Sequence, residues 1–344
     1  MKILIISDAW EPQLNGVVRT YQNLIAELEQ KGHEVKILGP RDFALRTPMI
    51  HGAQTAFFSR KKTEETITQF KPDRIHIAVE GPIGWTARSI CLEKNLPFTS
   101  CFHSNWADFL VSHLSGPLKK SSSYVSDKTY DILRKFHDTS SGIFVASQQL
   151  ADHLKEKGFK GPFMPMTRGA DKRFFYVGEQ NLFDNLPHPI ALSVGRVSKE
   201  KNLDAFLDAS WDGSKIVVGD GPDLERLKNK YPDVYFLGRI EGQALGDCFR
   251  SSDVFAFPSL FDTLGIVQIE AMTCGLPIAA LNCVAANSVI TSPILGSIDS
   301  DFGKSLNQAL KAEGTRQDRA KIANDEYSWG KTAQQFLEAR PDYG

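Results

Sequence analysis

A short apolar run that ends at a proline, Asp253-Val-Phe-Ala-Phe257 before Pro258, constrains this chain more than any other stretch. With no polar residue from Val254 to Phe257, the run fits an inner parallel strand buried on both faces. Phe261 to Gly265 then read as a polar turn. From Ile266, the apolar residues Ile266, Val267, Ile269, Met272 and Leu276 recur at helical spacing, with Gly275 as a stop signal and Pro277 beyond it. Asp262 therefore stands just before a helix, Gly265 lets the backbone approach a ligand, and Glu270 lies in the first helical turns. A helix N-terminus offers unpaired N–H groups and partial positive charge, a seat for diphosphate oxygens. Carboxylates repel phosphate, so Asp262 and Glu270 are expected to accept hydrogen bonds from hydroxyl groups of a sugar or ribose. A nucleotide sugar meets both demands. On this grammar alone, a plain helix cap at Asp262 and a solvated Glu270 are the commoner outcome.

The same strand-then-helix alternation runs through the chain. Ile3-Leu-Ile-Ile6 and Val35-Lys-Ile-Leu38 flank a loop, Glu11 to Gly16, and a helical pattern at Val17, Tyr21, Leu24, Ile25 and Leu28. That unit opens an α/β sheet, where ligands sit beyond the carboxyl ends of strands. Asn15-Gly16 lies on that edge, although Asn-Gly is also a common turn former. Further strands are expected at Arg74–Val79 and Phe98–Phe102, and His103 follows the latter on the ligand-facing edge. A second alternation begins at Ile190-Ala-Leu-Ser-Val194 and runs directly into Gly195-Arg-Val-Ser-Lys-Glu-Lys201. Arg196 supplies a planar fork of donors and Lys201 a compact charge, a combination suited to a diphosphate. A charged surface loop is the alternative there. The boundary between the two halves is expected between Gly161 and Arg173, where Pro162, Pro165 and Gly169 punctuate the chain. This divides it into residues 1–165, residues 166–325 and a terminal amphipathic helix within 326–344.

Length and charge add limits. A chain of 344 residues is best accounted for by two domains, and a net charge of −1 gives no sign of nucleic acid binding. Charge is uneven: residues 1–165 hold 21 Lys and Arg against 17 Asp and Glu, whereas 166–344 hold 19 against 24. The basic cluster Arg60-Lys-Lys62 opposes its helix dipole and fits a partner contact or a solvated face, and the one from Lys119 to Lys135 fits an anionic membrane surface or an ordinary amphipathic helix. The five cysteines are scattered, without zinc spacing, and are expected to be reduced. The first apolar run is too short for a signal peptide and no run reaches membrane-spanning length, so a cytoplasmic protein with at most peripheral membrane contact is expected. No Gly-x-Gly-x-x-Gly follows the first strand and no Walker lysine motif occurs, which argues against dinucleotide redox chemistry and P-loop hydrolysis. Asp299-Ser-Asp301 looks like a metal-binding pair but stands in a late loop without strand context, and no metal site is assigned.

Taken together, these stretches resemble the family 4 retaining glycosyltransferases, over nearly the whole chain. Asp262 and Glu270 stand at the two acidic positions of the family's Glu-x7-Glu signature, the first shortened to Asp, inside a wider frame running from Phe257-Pro-Ser to Gly275-Leu-Pro277. Gly195-Arg196 with Glu200-Lys201 resembles its Gly-Arg-x-x-x-Glu-Lys element, and Phe102-His103-Ser104 its Phe-His-Thr. Asn15-Gly16, Arg168-Gly-Ala-Asp171 and Gly219-Asp-Gly-Pro222 match further family elements, while Ala285-Ala-Asn287 departs from a more usual Gly-Pro. The match is strongest to members that glycosylate lipids, such as sulfoquinovosyl-diacylglycerol synthases and diacylglycerol glycosyltransferases.

The resemblance implies two doubly wound, Rossmann-like α/β domains facing across a cleft, the GT-B fold. It implies transfer of a sugar from a UDP- or GDP-sugar to an acceptor hydroxyl, on a lipid such as diacylglycerol, with retention and without metal or other cofactor. Arg196 and Lys201 would neutralise the diphosphate with the N–H groups at Leu264 and Gly265. His103, Asp262 and Glu270 would hold sugar and ribose hydroxyls, and the donor would also meet Gly16, Gly195 and Thr263. Backbone at Arg239 and Ile240 would read the base. The implied partners are a nucleotide sugar and a lipid at the inner membrane surface. A mannosyltransferase acting on a saccharide or inositol lipid, and a GT-B nucleotide-sugar epimerase, are the alternatives.

Overall fold

Among the described residues, the strands of the chain's first half pair in parallel, as short apolar runs separated by helices lead one to expect, with an isolated antiparallel bridge between Arg46 and Ala56 outside them. The computed structural model describes residues 1–13, 15–47, 55–56, 59–103, 110–111 and 121–339. They fall into two compact units, Met1–Thr167 with Trp329–Gly344, and Arg168–Ser328. The first unit holds strands β1 (Lys2–Ile6), β2 (Glu34–Leu38), β3 (Arg74–Ile77), β4 (Thr99–Cys101), β5 (Ile143–Val145) and β6 (Phe163–Pro165), in the spatial order β2-β1-β3-β4-β5-β6. Its helices are α1 (Gly16–Gln30), α2 (Arg60–Phe70), α3 (Pro82–Glu93), α4 (Ser122–His137) and α5 (Gln148–Glu156). Side chains alternate across a strand, so β1 feeds two cores. Leu4 and Ile6 pack with Ile67, Ile83 and Ile90 on one face, Ile3 and Ile5 with Tyr21, Leu24 and Phe336 on the other. Pro165 has no N–H to donate, which suits β6 to the sheet edge it occupies, where the sequence reads as linker.

Asp8, just beyond β1, anchors this unit. One carboxylate oxygen accepts from the Thr55 hydroxyl (2.6 Å) and the Ile83 amide (3.0 Å), the other from the Gly84 amide (3.0 Å). Burial raises its pKa, and those donors offset only part of the rise. Asp8→Ala leaves the first-turn amides of α3 without their acceptor and is expected to destabilise the protein by about 2 kcal/mol. Chemical denaturation checks this, and a change within error of wild type would contradict it.

The second unit holds β7 (Ile190–Val194), β8 (Ser214–Val218), β9 (Tyr235–Gly238), β10 (Val254–Phe257), β11 (Ile278–Ala280) and β12 (Gly296–Ile298), again parallel, in the order β12-β11-β10-β7-β8-β9. Its helices are α6 (Leu203–Asp208), α7 (Leu224–Lys230), α8 (Gly242–Arg250), α9 (Ile266–Thr273), α10 (Val284–Val289), α11 (Phe302–Leu310) and α12 (Arg316–Glu326). The last helix, α13 (Trp329–Glu338), packs on α1 and β6 of the first unit. Asp299 and Asp301 have a structural use: Asp301 caps α11 by accepting from the Lys304 amide, and Asp299 accepts from the Asp301 amide.

The basic clusters are partly neutralised in place. Arg60 pairs with Glu64 and Glu93, and Lys128 and Arg134 both pair with Asp131. Lys119 and Lys120 lie outside the described residues. Among the described residues no helix is long and apolar enough to cross a membrane.

Candidate active site

In an open parallel sheet, the crevice lies where neighbouring strands lead their connections to opposite sides. In the second unit that point falls between β7 and β10, which pair in register as Val254 to Ala191 and Phe255 to Leu192. The loops leaving these two strands are Gly195–Asn202 and Pro258–Gly265. Sheet order alone thus brings together two stretches that the sequence analysis weighed separately, and they share a pocket formed by Gly195, Arg196 and Lys201 with Pro258, Ser259 and Asp262. A more open hollow in the first unit, lined by Asp127, Tyr130, Arg134 and Glu156, holds none of the expected site residues.

The pocket's centre is an ion pair. The Lys201 ammonium donates to both carboxylate oxygens of Asp262, at 2.6 and 2.8 Å, across 61 residues of sequence. Both side chains stay partly exposed, at 29% and 24%. Asn202, at φ 53°, ties the loops further by donating its side-chain amide to the Pro258 carbonyl (3.1 Å). Arg196 is exposed, and its guanidinium makes no ion pair among the described residues. Asp262 is not a helix cap: the N-cap of α9 is Gly265. Glu270 is not solvated either, being 1% exposed.

Gly265 has two reasons to be glycine. Its φ of 74° is left-handed, and a Cβ there would stand 2.8 Å from the Phe257 ring. Gln268, one turn on, donates its side-chain amide to the Leu264 carbonyl (2.6 Å) and so braces the turn ahead of α9. Gly219 answers a close approach: a Cβ there would lie 1.7 Å from the Gly195 carbonyl oxygen. The Val197 amide donates to the Asp220 carbonyl (3.0 Å), which packs the Gly219–Pro222 turn against the Arg196 loop. Thr263 and Leu264 sit in the turn before α9, Leu264 with its side chain buried. Arg239 and Ile240 follow β9, two strands from β7 and so roughly 10 Å away, and Arg239 turns to Glu241 (2.6 Å). Cys283 lies near Asp262, and burial pushes its thiol pKa up, away from nucleophile chemistry.

In the first unit, Gly16 is the exposed first residue of α1, beside Asn15, whose side chain accepts from the Val17 and Val18 amides at 3.0 Å. His103 is half-buried at the end of β4, and its Nε2 is 2.9 Å from the Tyr21 hydroxyl. Ser104 lies outside the described residues. Sequence reasoning missed Asn202, Ser259, Gln268, Tyr21 and His76. Gln268 did leave a signal, as the polar member of the run Ile266-Val-Gln-Ile269.

Two doubly wound parallel-sheet units, one with paired cations and a helix N-terminus at its crevice, define the GT-B class of α/β proteins. Sucrose-phosphate synthase from Thermosynechococcus elongatus shares this fold at a TM-score of 0.75 and 18% identity, over 98% of this chain and 97% of that one. Residues 14–171 match Glycosyltransferase Family 4 and residues 188–296 match Glycosyl transferases group 1. The chain belongs to the family 4 glycosyltransferases and is a glycosyl-transferring enzyme. It is 24% identical to a GDP-mannose-dependent alpha-mannosyltransferase of Corynebacterium glutamicum, over 80% of this chain and 71% of that protein. It is 25% identical to an alpha-monoglucosyldiacylglycerol synthase of Streptococcus pneumoniae, over 91% of this chain and 79% of that protein.

Proposed function

We propose that this glycosyltransferase moves a sugar from a UDP- or GDP-sugar to a lipid hydroxyl such as that of diacylglycerol, with retention and without a metal ion. The observation that carries the donor half is the Lys201–Asp262 pair beside Arg196, in front of the N-terminus of α9. As the glycosidic bond breaks, negative charge gathers on the leaving diphosphate. The Lys201 ammonium, the exposed Arg196 guanidinium and the amides around Gly265 supply what a metal ion would otherwise provide. Asp262 holds Lys201 in position; a diphosphate carries more charge than one carboxylate, competes for the ammonium, and frees Asp262 for sugar hydroxyls. Glu270 and Thr263 take further donor contacts. His103 and Gly16, in the first unit, keep the roles that the resemblance implies. The lipid half is supported by the likeness to the diacylglycerol-glucosylating relative, and it makes the protein peripheral at the inner membrane face.

Two measurements test the reading. Thermal shift against UDP, GDP and their sugars is expected to raise Tm with one nucleotide series, by an amount set by affinity and concentration. Turnover is expected to be unchanged by EDTA; strict metal dependence would contradict the cation scheme. A mannosyltransferase is the second reading, favoured by the likeness to the GDP-mannose-dependent relative. It predicts a response to GDP-mannose and a saccharide or inositol-lipid acceptor. Sugar conversion without acceptor would point instead to an epimerase.

A further inference from the structure

Behind His103 runs a buried chain of polar contacts. His103 Nε2 meets the Tyr21 hydroxyl at 2.9 Å, the hydroxyl meets His76 Nε2 at 2.7 Å, and His76 Nδ1 meets the Thr99 hydroxyl at 2.9 Å. Tyr21 and His76 are fully buried and Thr99 is 1% exposed. Apolar rings hold the middle of the chain in place: Phe144 and Phe336 both meet His76 in T-shaped contacts, with centroids at 5.5 and 5.3 Å. Three members of this chain, Tyr21, His76 and Thr99, have no part in the function proposed above.

Each hydroxyl and each neutral imidazole has one proton to give, so the chain runs in one of two senses, set at its Thr99 end. The shorter contact favours the sense in which the Thr99 hydroxyl donates to His76 Nδ1 (2.9 Å) over the reverse sense, in which it donates to the Ile75 carbonyl at 3.5 Å and accepts from Nδ1–H. His76 then carries its proton on Nε2 and donates to the Tyr21 oxygen. Tyr21 in turn donates to His103 Nε2, which leaves the His103 proton on Nδ1. We propose that Tyr21 and His76 are positioning residues that lock His103 in its Nδ1–H tautomer and in one ring orientation. This rests on the reading of His103 as a hydroxyl-contacting residue of the transferase. Such a lock lets the imidazole meet one arrangement of hydroxyl donors and acceptors rather than two.

The test is ¹⁵N NMR of imidazole-labelled full-length protein, with His103→Ala used to assign the signal. Wild type is expected to show His103 as the Nδ1–H form, not the Nε2–H form that free side chains favour in water. Tyr21→Phe keeps the ring and removes the donor, and is expected to shift His103 toward Nε2–H. It should also lower kcat about tenfold while leaving the donor KM within about twofold. Thr99→Val acts two links away without touching Tyr21 and is expected to move the same signal, which covers a failure of Tyr21→Phe to fold. A wild-type Nε2–H signal, or a signal unmoved by both variants, overturns the relay. Wild-type turnover in His103→Ala, with the relay signals intact, instead overturns the role assigned to His103.

Discussion

Lys201→Ala is expected to abolish turnover, by about 10²–10³-fold, while the melting temperature stays near wild type. The two effects separate because of where the pair sits. Lys201 and Asp262 are 29% and 24% exposed, and a partly solvated ion pair contributes only about 1 kcal/mol or less to stability. Toward a diphosphate the same ammonium counts for far more, since it acts where charge builds up. The loss has a second source. Without Lys201, the Asp262 carboxylate is left facing the anion's seat and repels it. Asp262→Asn in the Lys201→Ala background is therefore expected to recover part of donor binding, although Asp262→Asn alone impairs the enzyme. That non-additivity is measurable as a coupling energy in a double-mutant cycle. Wild-type-like turnover in Lys201→Ala would remove the diphosphate assignment, and strict additivity would remove the repulsion argument.

Gly265→Ala is the second large effect. Alanine at φ 74° costs about 1–2 kcal/mol, because its Cβ crowds the following carbonyl. The Cβ would also sit 2.8 Å from the Phe257 ring, which is 3% exposed at the end of β10 and has little room to retreat. Overpacking of that kind costs about 1–3 kcal/mol more. Chemical denaturation is expected to show a combined loss of about 2–5 kcal/mol. Activity should fall further than stability, because the turn that carries the Leu264 and Gly265 amides must shift. Adding Phe257→Leu should relieve the packing share and leave the backbone share. A Gly265→Ala protein as stable as wild type would show that the turn tolerates a side chain.

Much of the architecture was legible from local pattern. The runs Ile3–Ile6, Ile190–Val194 and Val254–Phe257 read as buried parallel strands, and each is one. The helix from Ile266 was visible in its apolar spacing, and the terminal helix in Trp329, Ala333 and Phe336, all buried. Of the short strands, β4 was read inside the run Phe98–Phe102, whereas β6, β11 and β12 were not, because Pro, Ala, Gly and Ser fill or flank them in place of a run of β-branched and aromatic residues. Around the site, residue types showed the chemistry but not the partnerships. Arg196 and Lys201 stood out as cations after a strand, and nothing in their spacing pointed to Asp262. Gly265 was read as room for a ligand; its φ and the Phe257 ring supply a reason internal to the fold.

Residue order by itself determined the alternation of strand and helix, the ends of strands at which ligands can sit, and the charged and acidic groups placed there. These follow from period, propensity and turn chemistry within a few residues of each position. Only the tertiary structure decided that Lys201 meets Asp262 across 61 residues, and that Tyr21 meets His103 across 82. Such pairs depend on which strands lie side by side, and strand order is set by the packing of whole faces rather than by any local stretch.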